Sequence, residues 1–224
     1  SNVHLELHFK ILENEENIDR LLNRVWNYVQ PIESGSYQYK MTSEYFAFHA
    51  LAHMMYHFIH GGCGARYIVD MWILENKTQY DKVKLTKLCQ ECDIDVFAHY
   101  TEKMMRVWFE GEKHDALSEK MQMYIMNGGV FGSNESIVTA RKTKVEGKLK
   151  YLLQRIFVPY EELCVMNPTL KKYSILYPYY TMKRWLKIFR GNTVNRAMNE
   201  IKLNKEIKQD SVNELKDLFR KLKL

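Results

Sequence analysis

Cysteine is scarce in this chain, four in 224 residues, and Cys63, Cys89, Cys92 and Cys164 give no disulfide framework at that length. Cys89 and Cys92 form a single CxxC inside KLTKLCQECDID, with no second CxxC and no neighbouring strand pattern. Neither zinc binding nor dithiol chemistry is expected there, and a reducing cytoplasm is the expected compartment. No run of eighteen or more apolar residues occurs and no signal-peptide pattern opens the chain, so neither a membrane span nor secretion is expected. The chain begins Ser-Asn without an initiating Met, which reads as a processed start or a cloning scar. Internal repeats and low-complexity tracts are lacking too.

Several catalytic signatures are also missing. The glycine-rich loop NGGVFGSNES at 127–136 is followed by IVTARKTK, with no D-x-D or D-x-E to hold divalent ions on a triphosphate. It also lacks the Gly-Lys-Ser/Thr of a Walker loop, so it reads as structural. No HExxH is present to mark a catalytic zinc site.

What is there begins with residues 43–74, SEYFAFHALAHMMYHFIHGGCGARYIVDMWIL. Phe46, Ala47, Ala50, Leu51, Met54, Met55, Phe58 and Ile59 follow the i, i+3, i+4 spacing of a helix with one buried face. Ser43 is the expected N-cap, and Gly61 and Gly62 supply the stop. The opposite face carries Tyr45, His49, His53, His57 and His60. Imidazoles at i, i+4 can share a metal, but no glutamate motif accompanies them. The favoured reading is a row of hydrogen-bonded, half-buried histidines at a contact, bordering an active site.

Residues 3–11, VHLELHFKI, alternate with period two and predict a strand that carries Glu6 on one side with His4 and His8. Residues 15–30 predict an amphipathic helix with Ile18, Leu21, Leu22, Val25, Trp26 and Val29 inward and Pro31 ending it. SYQYKM at 36–41 predicts a second strand, free to pair with the first. Since a two-stranded ribbon is marginal alone, it either lies on the helices or belongs to a sheet whose other strands are outside this chain. Further helices are expected at 66–76, 80–92, 95–110 and 115–126. From 137 the pattern is mostly helical, interrupted by Pro159, Pro168 and Pro178, and it ends in a segment with Ser211 and Glu214 at capping-box spacing.

Net charge is +6 and uneven: residues 141–224 carry 20 Lys and Arg against 8 Asp and Glu, and residues 1–140 carry 13 against 19. The tail, including KRWLKIFR at 183–190, suits either a solvated helical face or a polyanionic partner. Arg66 stands four residues before Asp70, the spacing of a helical ion pair.

The sequence resembles the uncharacterised nucleotidyltransferase family of the DNA polymerase β-like superfamily. The residues that carry the likeness are LELHFKI at 5–11, SYQYKM, FHALAHMMYHFIHGGCGARYIVDMWIL, GGVFG, and FVPYEELCVMNPTLKKYSILYPYYTMKRWLKIF at 157–189. By that resemblance the fold is α+β and predominantly helical. Residues 1–42 would end a nucleotidyltransferase core, and 43–224 would form a helical region with a basic tail. A Gly-Ser turn and two paired carboxylates would precede residue 1, so the chain resembles the C-terminal part of such a protein and is expected to be inactive alone. Glu6 falls at the family's third carboxylate, a catalytic and metal-binding position, and His8, His53, His57 and Arg66 are the expected substrate contacts. The implied reaction is Mg²⁺-dependent transfer of a nucleotidyl group from an NTP to an unidentified acceptor hydroxyl. The alternative is a non-catalytic helical module engaging nucleic acid or an anionic surface through the tail.

Overall fold

The computed structural model describes residues 11, 13, 15–127, 137–140, 143, 158–189 and 209–224. The predicted strand at 3–11 lies outside the described residues except for Ile11, and the loop at 127–136 lies outside them except for Asn127. Two compact units are present, Ser1–Ser136 with Lys216–Leu224, and Ile137–Leu215. The fold is α+β and predominantly helical, with one antiparallel two-stranded ribbon among the described residues.

In the first unit the helix expected over 15–30 is much shorter. Helix α1 spans Glu16–Leu22 and buries Ile18, Leu21 and Leu22, after which a 3₁₀ turn over Val25–Tyr28 leads into strand β1, Val29–Pro31. The helical period continues in the sequence, but tertiary contacts outweigh it. Tyr28 stacks on Tyr45 with ring centroids 4.5 Å apart, and β1 pairs with β2, Tyr39–Met41, in the register Val29↔Met41, Gln30↔Lys40 and Pro31↔Tyr39. Trp26, expected inward, is 71% exposed and sits edge-on to Tyr39. Among the described residues the second predicted strand is paired with residues 29–31, and the expected pairing with 3–11 falls on residues outside them.

Helix α2, Ser43–Ile59, is followed by α3, Ala65–Lys77, α4, Lys82–Glu91, α5, Asp95–Glu110, and α6, Ala116–Asn127. Helix α2 packs on α3 and α4, α5 packs on α3, α4 and α6, and the four helices α2–α5 form the body of the unit. The buried face of α2 comprises Tyr45, Ala47, Phe48, Leu51, Ala52, Met54, Met55, Phe58 and Ile59. Two expectations are corrected here. Tyr45 belongs to the core, because its ring stacks on Tyr28 and its hydroxyl donates to the Leu21 carbonyl at 3.1 Å, while Phe46 is 46% exposed. Thr42, not Ser43, is the N-cap, its hydroxyl accepting from the Tyr45 amide.

Phe58 gathers the core around it. Phe97 of α5, Tyr124 of α6 and Phe219 lie 5.3, 4.8 and 5.8 Å from its ring, and Tyr124 donates to the Phe58 carbonyl at 2.8 Å. Offset and edge-on aromatic pairs of this kind add to the burial of their apolar area.

In the second unit α7, Tyr160–Met166, α8, Thr169–Lys172, a 3₁₀ turn over Ser174–Leu176, and α9, Tyr177–Phe189, enclose Val158, Leu163, Cys164 and Leu170. Pro159 and Pro168 occupy N-cap positions, where a missing N–H leaves no intrahelical bond unmade. Pro178 does not interrupt its helix; it is the second residue of α9, for the same reason. Helix α10, Gln209–Lys221, begins two residues before Ser211, which places Ser211 within the helix and removes it from the capping position expected of it.

Candidate functional site

The exposed side of α2 carries the histidine row, and helical geometry alone explains why the four rings share a face. His49 and His53 have ring centroids 6.4 Å apart, His53 and His57 meet edge-on at 4.6 Å, and His60 lies 4.3 Å from Tyr56. All four are half-buried. Tyr67 of α3 closes the row from the side, 5.3 Å from His57 and 6.2 Å from His53.

The helix ends where the row ends. Gly61 takes φ +78°, a left-handed conformation that favours glycine, and Gly62 comes close enough that a Cβ there would stand 3.2 Å from His57 Nδ1. The double glycine thus stops the helix and makes room for an imidazole.

Glu13 supplies the charge. Its side chain is 9% exposed, and Oε1 accepts a hydrogen bond from His53 Nδ1 at 2.7 Å. Its backbone N–H donates to Asp19 Oδ1 at 2.8 Å, which fixes the segment just before α1. Glu15 follows, with Oε1 4.0 Å from His60 Nε2. His60 Nδ1 donates to the Tyr56 carbonyl at 2.7 Å, and since a carbonyl only accepts, that bond sets the tautomer.

The rings differ in proton affinity. The hydrogen bond to Glu13 holds His53 above its ordinary value, whereas burial holds His49 and His57 below theirs, with the neighbouring His53 adding to the effect on both. A row results in which one imidazole favours its proton and its flanking partners favour the neutral form. Neutral imidazoles accept a proton from a hydroxyl, and an imidazolium donates to an anion.

Of the residues expected to bind substrate, the structure brings His53 and His57 together. Glu6 and His8 lie outside the described residues. Arg66, at the start of α3, donates from Nε to Asp70 Oδ2 at 3.2 Å in an exposed i, i+4 pair. Sequence reasoning missed Glu13, Glu15 and Tyr67. The acidic run ENEEN at 13–17 is visible in the sequence, but nothing local assigns one of its carboxylates to a histidine 40 positions away.

Among the described residues no group of three or more His, Cys, Asp or Glu is placed to hold a metal ion, and no helix is long and apolar enough to cross a membrane. Magnesium takes oxygen ligands. The described face offers mainly imidazole nitrogen, so it does not fit that ion. Cys89 and Cys92 are buried free thiols, raised by burial to about 12 and about 11.

No curated protein and no solved structure matches the chain. Over residues 1–110, which include α1, the ribbon and the histidine-bearing α2 and run to the end of α5, the chain matches the model of a family described as uncharacterised nucleotidyltransferase.

Proposed function

We propose that the chain is the C-terminal part of a nucleotidyltransferase that moves a nucleotidyl group from an NTP to an acceptor hydroxyl, and that the histidine face of α2 borders the reacting groups. The family match over residues 1–110 supports the reaction class. The observation that carries the placement is the half-buried hydrogen bond from His53 to Glu13. Glu13 lies seven residues after Glu6, the position that resembles the family's third carboxylate, so the chain between them spans at most about 25 Å.

In this reading Glu6 is the catalytic carboxylate, and the Gly-Ser turn and paired carboxylates belong to residues upstream of Ser1. His8, His53, His57 and Arg66 contact substrate. The acceptor oxygen bonds to the α-phosphorus, the bond to the bridging β-phosphate oxygen breaks, and pyrophosphate departs. His57, held toward its neutral form, suits the role of taking the hydroxyl proton, and His53, held toward its protonated form, suits a phosphate oxygen. Mg²⁺ is implied by the resemblance alone; the described residues do not build its site, and no step here is routed through it.

The test is single-turnover transfer from labelled NTP, in the presence of Mg²⁺, by protein that also carries the residues upstream of Ser1. Glu6→Gln is expected to slow transfer by a factor on the order of 10² or more while leaving the thermal melt unchanged. The 224-residue chain by itself is expected to release no pyrophosphate. A wild-type rate in the substituted enzyme would leave Glu6 an ordinary surface acid.

A second reading rests on α9. Lys183 Nζ lies 5.9 Å from the centroids of both Tyr179 and Tyr180, Lys172 lies 5.5 Å from that of Tyr173, and Tyr179 is 57% exposed. Exposed aromatics interleaved with lysine suit base stacking and phosphate contact. Nucleic-acid affinity that falls steeply with salt and is lost in Tyr179→Ala with Lys183→Ala would favour it.

A further inference from the structure

A cavity of about 180 Å³ lies among α2, α3, α4 and α5, away from the arc of α2 that carries the histidines. Its apolar wall is made by Leu51, Met71, Leu85 and Met105. Thr101 also lines it. That side chain is fully buried, and its hydroxyl has no hydrogen-bond partner among the described residues. Burying a hydroxyl unpaired is costly, and valine would fill the same volume without that cost, so the hydroxyl calls for a partner from outside the chain.

The mouth is charged. Glu75, Asp95 and Glu102 set three carboxylates against two cations, Lys82, which bridges Glu75 and, at 3.1 Å, Glu102, and Arg106, which reaches Glu102 at 3.3 Å. Lys82 and Arg106 thus leave one of the three carboxylates, Asp95, without a cation of its own among the described residues. Tyr80 stands beside them, and burial raises its phenol to about 12, so it stays a neutral donor and acceptor at ordinary pH. A dry apolar cavity of about 150 Å³ accepts benzene, which sets the scale for the body of a ligand here at about eight non-hydrogen atoms. The excess carboxylate favours a cation and disfavours an anion.

We infer that this cavity is a binding site for a small organic ammonium compound, with its apolar body against Leu51, Met71, Leu85 and Met105, its polar end toward Thr101 and its charge at the Glu75, Asp95 and Glu102 mouth. The site does not depend on the nucleotidyl-transfer reading.

The probes are benzylammonium, its neutral isostere benzyl alcohol, and benzoate, titrated into the full 224-residue chain by ligand-observed NMR with a parallel thermal melt. Benzylammonium is expected to bind saturably at millimolar concentration, benzyl alcohol about tenfold more weakly, and benzoate not at all. Thr101→Val is expected to raise the melting temperature of the free protein, because it removes an unpaired buried hydroxyl, and yet to weaken benzylammonium about five- to tenfold. Glu102→Gln, on the accessible mouth, is expected to narrow the preference for benzylammonium over benzyl alcohol while leaving the fold intact. The resonance of His99, which lines the cavity, should move with benzylammonium. Equal affinity for the three probes, no saturable binding, or undiminished affinity in Thr101→Val overturns the inference.

Discussion

His53 and Glu13 concentrate the electrostatics of the histidine face in one hydrogen bond of 2.7 Å. Because the folded state raises the affinity of His53 for its proton above the ordinary value of 6.5, the stabilisation it gives is full below that value. It is lost as pH rises through the folded value. His49 and His57 have the opposite sign: with folded values below 6.5, their contribution is present above it and is lost as pH falls through those values. Glu13→Gln should therefore lower the melting temperature more at pH 6 than at pH 9, and an NMR pH titration should show the His53 value falling toward 6.5. A melting-temperature difference that is flat between those two pH values would mean that Glu13 does not hold the His53 proton. Tyr45 supports a simpler expectation. Its hydroxyl is fully buried and donates to Leu21, so Tyr45→Phe should cost about 1 kcal/mol in urea unfolding. No loss would mean that the packing of the Tyr45 ring, and not its bond to α1, sets the stability at this position.

At the scale of the element, α2 is built around its glycine stop. Gly62→Ala would place a Cβ 3.2 Å from His57 Nδ1, so the imidazole must shift by a few tenths of an ångström. The expected outcome is a stable protein with a displaced His57 resonance and a small displacement at His53, whose ring meets that of His57; an unmoved His57 signal would contradict the close approach. Helices α2 to α6 were legible in the sequence because each repeats its apolar spacing for ten residues or more, long enough for periodicity to decide. Residues 23–31 were not legible, since the helical period runs on through Val25, Trp26 and Val29 while the stack of Tyr28 on Tyr45 and the pairing with Tyr39–Met41 take the chain elsewhere. Those contacts join residues 8 to 17 positions apart, beyond the reach of a local pattern. The histidine row was legible for the opposite reason, since a 3.6-residue period places all its members. Tyr45 was misassigned by the same pattern because a phenol has both an apolar ring and a polar tip, and only the fold shows which one is used.

At the scale of the whole molecule, charge is divided between an acidic first part and a basic tail, with net charges near −6 for residues 1–140 and +12 for residues 141–224. The family match lies entirely within the acidic part, which also carries the histidine face. An anionic substrate that binds this part must be met by local cationic groups rather than by the mean field, and His53 and Arg66 are the groups proposed to do so. Histidine resonances separate this claim from its competitors, because the described histidines fall into distinct places: His49, His53 and His57 on α2 with His60 at its C-cap, His99 at the α5 cavity, and His114 hydrogen-bonded to Ser118 and Gln122 at α6. The most direct measurement is a titration of the 224-residue chain with ATP and Mg²⁺, followed through the imidazole ring-proton resonances. The expected result is a saturable displacement of His53 and His57, lost in His53→Ala with Arg66→Ala, while His99 and His114 stay in place. Resonances that do not move, or a displacement confined to His99 and His114, would contradict the placement of substrate on the face of α2.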